Sequence, residues 1–248
     1  MNILYEKEFS KENKFHGNVK IEPGVILGKG NTFCENCVVK RGAVIGDGNY
    51  FGPGVIIGAE SRERIAGGAI GKKMTTEPKV VIGDNNCFEA YSVIQLSFAT
   101  MTKISNGSCI GPFSLIGHDV QLEENVIISG HSTIAGYCML MKGSNIGIGA
   151  SIHQRTVIGA YAIVGAGGVV VNHILPTVTV VGVPASYLKV NKTGLLRAGF
   201  SESQVFEIEK WVNPDISGKE PPIIIQKYYD DFQQAIKKWN RSKPSIPF

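Results

Sequence analysis

Aliphatic residues stand six apart, without interruption, at Ile104, Ile110, Ile116, Leu122, Ile128, Ile134, Leu140, Ile146, Ile152, Ile158, Val164 and Val170. A helix brings a face round about every 3.6 residues and a strand every two, so neither alone gives this spacing. A sustained six-residue period describes a parallel β-helix, in which three hexads close one coil and the coils stack as a prism. Four residues after most of these aliphatics comes a small or β-branched side chain: Ser108, Ser114, Val120, Val126, Ser132, Cys138, Ser144, Ala150, Thr156 and Ala162. Both positions are therefore expected to face the axis. The same rhythm runs earlier through Ile21, Leu27, Phe33, Val39, Ile45, Phe51 and Ile57.

The period breaks in two places. Between Ile57 and Ile82 it is lost, and the stretch at about 59–80, with Arg62, Arg64, Lys72 and Lys73, reads as a loop thrown out of the prism. Long unpatterned loops on a rigid scaffold are often functional. After Ile94 the rhythm slips by four residues before Ile104. The prism is expected to end near Leu175–Pro176. Beyond it Ser201-Glu202-Ser203-Gln204 is a capping box at a helix start, and Ile225, Tyr228, Tyr229, Phe232, Ile236 and Trp239 recur at helical spacing. The expected organisation is a β-helix over 1–186 and a small helical domain over 187–248. That tail would cap the coil end. Its Lys227, Lys237, Lys238 and Arg241 also suit an acidic carrier protein.

The net charge of +4 suits anionic small molecules and is too weak to imply nucleic acid. Five cysteines are scattered along the chain, and the Cys34/Cys37 pair has no second pair to complete a zinc set. Cys37 and Cys138 fall at inward positions and read as buried thiols. The N-terminus is charged and shows no signal-peptide core, and no apolar run is long enough for a membrane span. A cytoplasmic protein is the expectation.

Residues eighteen apart lie on the same face, separated by roughly 4.8 Å, the distance between neighbouring strands. The hexads of Ile116, Ile134 and Ile152 therefore stack. They carry Gly117-His118-Asp119, Ala135-Gly136-Tyr137 and His153-Gln154, with none of the polar side chains at an inward position. His173 falls on the same face and His131 on another. A neutral His oriented by a carboxylate can act as a general base, and a glycine N–H beside it can hold a developing oxyanion. Such a set suits attack on a thioester. Zinc hydratases use the same prism but need three histidines, two of them close in sequence. No near pair exists here, so no metal is expected. A purely structural solenoid would show repeated outward Thr or Asn ranks, and a non-enzymatic scaffold would leave His118, Asp119 and Gly136 incidental.

The motifs Ile116-Gly117-His118-Asp119, Thr133-Ile134-Ala135-Gly136 and Ile152-His153-Gln154, with the tail phrase from Gly194 to Ser201, resemble one family in their order. It is the acyl-ACP–UDP-N-acetylglucosamine O-acyltransferases, which begin lipid A synthesis. The resemblance implies a left-handed β-helix, a homotrimer with sites between neighbouring prisms, and CoA or the phosphopantetheine of an acyl carrier protein as donor, with no tightly bound cofactor. It implies His118 as general base, Asp119 as its orienting carboxylate and Gly136 as the oxyanion donor. His153, Gln154 and Tyr137 would line the substrate pocket, and Arg197 would approach the nucleotide phosphates.

The chain also departs from the family. Leu115 and Tyr137 stand where the family has histidines, a His-Arg-Gly-Thr run is replaced near Gln95–Thr100, Thr193 stands for a Glu and Ala198 for an Arg. The loop with Arg62, Arg64, Lys72 and Lys73 is rebuilt. These changes lie on the acceptor side. They point to a nucleotide-linked amino sugar, acylated at nitrogen, with O-acylation of UDP-N-acetylglucosamine as the alternative.

Overall fold

The computed structural model describes residues 12–61, 79–212 and 220–239. The stacked hexads form short parallel strands, mostly two residues long, that alternate among three faces. Face A holds strands such as Cys109–Ile110 and Ile127–Ile128, face B holds Leu115–Ile116 and Thr133–Ile134, and face C holds Gln121–Leu122 and Met139–Leu140. Within the uninterrupted hexads a strand pairs with the one eighteen residues on, Ile116 with Ile134 and Ile134 with Ile152. Across the two irregular stretches the offset grows, Phe51 pairing with Phe88 and Val93 with Leu115. The six-residue period follows directly: each aliphatic from Ile104 to Val170 is buried on the axis, and so are Ser108, Ser114, Val120, Val126, Ser132, Cys138, Ser144, Ala150, Thr156 and Ala162.

The early coils fill the axis differently. Phe15, Phe33, Phe51 and Phe88 stack with ring centroids 4.5–5.3 Å apart. Beside them, inside the edge between faces C and A, Asn13, Asn31, Asn49 and Asn86 form a buried amide ladder. The Asn49 side chain donates to Asn31 Oδ1 and to the Gly83 carbonyl, and its own Oδ1 accepts from the backbone and side-chain amides of Asn86. Burial without such partners would cost about 1–3 kcal/mol per orphaned group.

The excursion leaves after the face B strand Ile56–Ala59 and returns at the face C strand Val80–Ile82. Its flanks are tied to the next coil: Leu96 N–H donates to the Ala59 carbonyl, and Lys79 N–H donates to Ser97 Oγ. The second irregular stretch, Leu96–Met101, crosses the same B–C edge one coil higher.

The coil path continues past Leu175–Pro176. Strand Val178–Val181 adds to face A in parallel, and Ser186–Val190 then turns back antiparallel along it. Face B ends under residues 182–185, where Val169 N–H donates to Gly182 O and Ala185 N–H to Val169 O. Face C ends at Ile174, bridged to Ile158. Three helices follow: α1 (Lys192–Arg197), α2 (Glu202–Val212) and α3 (Ile223–Trp239). The expected capping box is present, Ser201 N–H donating to Gln204 Oε1 and Gln204 N–H to Ser201 Oγ. Val205, Ile208, Ile225 and Phe232 are buried. The helices pack at the C–A edge, where Tyr161 meets Phe200 and Tyr228.

Candidate active site

The candidate catalytic residues lie along the B–C edge. In register, three columns rise along it: Gly117, Ala135 and His153; His118, Gly136 and Gln154; Asp119, Tyr137 and Arg155. Coils can approach so closely here because Gly117 lacks a side chain. A Cβ on it would sit 2.8 Å from the Ile134 carbonyl oxygen and 2.9 Å from Gly136 N. The corner also demands left-handed backbone, with φ of 59° at Asp119, 62° at Tyr137 and 60° at Arg155. Asp tolerates that conformation better than Tyr or Arg.

His118 Nδ1 lies 2.8 Å from Asp119 Oδ2. A carboxylate only accepts, so Nδ1 donates to it, which in the neutral imidazole leaves the lone pair on Nε2. Nε2 is directed at Gly136: a Cβ there would fall 2.5 Å from it. The Gly136 N–H has no acceptor among the described residues. The imidazole is held edge-on by Tyr137, at 4.9 Å between centroids, and by Phe98, at 6.3 Å. Tyr137 N–H donates to the His118 carbonyl.

Lying off the axis does not leave the first two polar side chains exposed. Asp119 is fully buried and His118 is 7% exposed. The reason is the slip in the period after Ile94, which lays residues 97–100 over the corner. Phe98 N–H donates to Asp119 Oδ2 at 2.8 Å, Ala99 N–H to Oδ1 at 3.0 Å, and both the amide and the hydroxyl of Thr100 donate to Oδ1. Thr102 Oγ1 accepts from the Asp119 amide. Burial raises the pKa of this carboxyl, but the hydrogen bonds from His118, Phe98 and Thr100 outweigh it and hold the group below its usual range. Asp119 is thus a fixed anion.

Of the other residues singled out, Tyr137 joins the pair, and Gln154, rather than His153, shares the column of His118. Both are exposed, and His153 Nδ1 lies 3.2 Å from the Gln154 carbonyl oxygen. His173 is on the same edge but buried, its Nδ1 accepting from Val157 N–H. His131 is on the A–B edge, stacked on Phe113. Arg197 ends α1, whose N-cap Asn191 donates to the Tyr161 carbonyl at the C–A edge, so a single chain does not bring it to His118. Arg62, Arg64, Lys72 and Lys73 lie outside the described residues. Sequence reasoning missed Thr102 and Arg155, and read Phe98, Ala99 and Thr100 as a departure from the family without their link to Asp119. The slip in the hexads was the signal for that link and for Thr102. For Arg155 it was a hexad offset shared with Asp119 and Tyr137. Cys37 and Cys138 are buried as expected, their thiols against the carbonyls of Gly52 and His153.

The family described as bacterial transferase hexapeptide (six repeats) matches residues 101–136, the segment that ends at Gly136. Among solved structures, LpxA from Acinetobacter baumannii superposes with a TM-score of 0.76 at 19% identity, covering 96% of each chain. This is a hexapeptide-repeat left-handed β-helix. The UDP-N-acetylglucosamine acyltransferase from Campylobacter jejuni shares the fold, with a TM-score of 0.72 at 20% identity over 94% of this chain and 99% of that one. In sequence the chain resembles proteins named acyl-[acyl-carrier-protein]–UDP-N-acetylglucosamine O-acyltransferase. That of Herminiimonas arsenicoxydans is 34% identical over 143 residues, 56% of this chain and 55% of the relative. That of Anaeromyxobacter dehalogenans is 31% identical over 134 residues, 53% of this chain and 52% of the relative. The chain spans about half the length of the curated relatives it matches.

Proposed function

We propose that this protein is an acyltransferase that moves an acyl group from a CoA or carrier-protein thioester to the amino group of a nucleotide-linked amino sugar. One observation carries the proposal: an imidazole tied to a buried carboxylate aims Nε2 at a glycine whose N–H has no acceptor among the described residues. In the mechanism we assign, His118 Nε2 takes the proton of the attacking amine as its nitrogen bonds to the thioester carbonyl carbon. Gly136 N–H donates to the resulting tetrahedral oxyanion. Collapse breaks the carbon–sulfur bond, and the imidazolium returns its proton to the leaving thiolate, giving an amide and a thiol. Asp119 keeps the tautomer and the ring orientation throughout.

Arg197 and the basic residues 62, 64, 72 and 73 complete the proposal as contacts to the nucleotide, with His153, Gln154 and Tyr137 about the acceptor. The working unit we assign is a homotrimer acting in the cytoplasm. The position of Arg197 at the C–A edge supports it, since a neighbouring copy could bring that residue to a B–C edge. Among the described residues no helix is long and apolar enough to cross a membrane.

The names of the sequence relatives favour a second reading, O-acylation of UDP-N-acetylglucosamine at the start of lipid A synthesis. Mass spectrometry separates the two. Purified protein is incubated with short acyl-CoAs or hydroxyacyl carrier proteins and with UDP-N-acetylglucosamine or amino-sugar nucleotides. Acylation of an amino sugar alone supports the first reading, and acylation of UDP-N-acetylglucosamine the second. No transfer from any donor would overturn both and leave a non-enzymatic scaffold.

A further inference from the structure

The guanidinium of Arg155 lies over the ring of Tyr137, with Cζ 4.8 Å from the centroid. That ring in turn meets His118 edge-on at 4.9 Å. Taken end to end, these contacts bound the distance from guanidinium to imidazole at about 10 Å. The backbone fixes the arrangement, since Arg155 N–H donates to the Gly136 carbonyl and Tyr137 N–H to that of His118. Tyr137 is half-buried and serves as a shelf, while Arg155 is exposed.

No carboxylate among the described residues pairs with Arg155. The acid in its own column, Asp119, is buried and committed to His118 and residues 98–100. A guanidinium stacked by its face keeps its edge donors available for a planar or tetrahedral oxyanion. A cation beside the candidate reacting centre, with no carboxylate partner among the described residues, is therefore matched to an anion carried by a substrate.

Chain lengths tell which anion. A pantetheine arm, about thirteen bonds from sulfur to phosphorus, holds its phosphate roughly 16 Å from the thioester when extended. A pyranose holds its anomeric phosphate only about 5–7 Å from a ring hydroxyl or amine. The reach from His118 to Arg155 matches the second.

We propose that Arg155, stacked on Tyr137, binds the phosphate next to the sugar of the acceptor. The proposal rests on the nucleotide-sugar acyltransferase reading above. Two measurements on the full chain test it. Calorimetry with a UDP-linked amino sugar, UDP-N-acetylglucosamine and CoA is run on wild type, Arg155→Ala and Arg155→Lys. Steady-state kinetics then give KM for acceptor and donor separately. The expected result is a tenfold or greater loss of affinity in Arg155→Ala for each phosphorylated sugar that wild type binds, corresponding to about 1.4 kcal/mol. Arg155→Lys recovers part of it, because an ammonium keeps the charge but not the planar fork. CoA affinity and donor KM stay within twofold. Equal binding of the phosphorylated sugars by wild type and Arg155→Ala would overturn the role of Arg155 alone. A rise in donor KM instead would overturn the assignment to the acceptor. If wild type binds neither sugar phosphate, the nucleotide-sugar reading falls and this proposal with it.

Discussion

Two edges of the prism are built by the same rule and put to opposite uses. Inside the C–A edge, Asn13, Asn31, Asn49 and Asn86 repeat one residue from coil to coil, and each amide is satisfied by the next. On the B–C edge the column runs Asp119, Tyr137, Arg155, a different chemistry at every level, and the donors of residues 98–100 come from outside the period. A repeated rung closes on itself and stabilises. A varied column leaves unlike groups facing one another and can do chemistry. On this comparison, damage to one edge should cost activity, and damage to the other should cost stability.

The largest expected effect is at His118. His118→Ala should lower turnover by roughly 10²–10⁴-fold, as loss of a general base does, with an unfolding midpoint near that of wild type. Thiol release measures the first and thermal melting the second. Equal turnover would remove His118 from the reaction. Next comes Gly136→Ala, whose added Cβ must displace His118 Nε2 from 2.5 Å. A misplacement of this order costs up to about 10²-fold, so kcat should fall at least tenfold while the protein stays folded.

The amide ladder should answer in the other currency. Asn49→Ala strands the Gly83 carbonyl and the amides of Asn86. Denaturant unfolding should show a loss of about 2–3 kcal/mol, with turnover per folded molecule within twofold of wild type. A drop in turnover at unchanged stability would break the comparison.

The smallest effect joins the two edges. Asp119 has a depressed pKa, so its contribution to stability is fully present above the ordinary carboxylate range. It is lost as pH falls through the lowered value. Asp119→Asn should melt below wild type at pH 7, and the gap should narrow in acid. A gap independent of pH would mean the carboxylate charge is not what those donors hold.

Most of the fold was legible because a closed prism forces two residues of every six onto the axis, from Ile104 to Val170. His118, Asp119 and Gly136 came together by counting in eighteens. What stayed hidden lay where counting stops. The slip after Ile94 broke the period, so the amides of Phe98, Ala99 and Thr100 could not be aimed at anything from sequence, and the burial of Asp119 beneath them did not show. Asn13, Asn31 and Asn49 keep the eighteen-residue spacing in plain view, but the excursion displaces Asn86 and obscures the ladder. Arg155 needed the corner conformation, since only the shared left-handed backbone sets it over Tyr137.

The antiparallel return of Ser186–Val190 has a consequence for association. A stack of parallel coils ends in exposed strand edges that another copy could extend, coil upon coil, into a fibre. Here the last strand of face A is covered by a strand running the wrong way for the next coil, face B is closed by residues 182–185, and face C by Ile174. The upper end is a polymerisation stop.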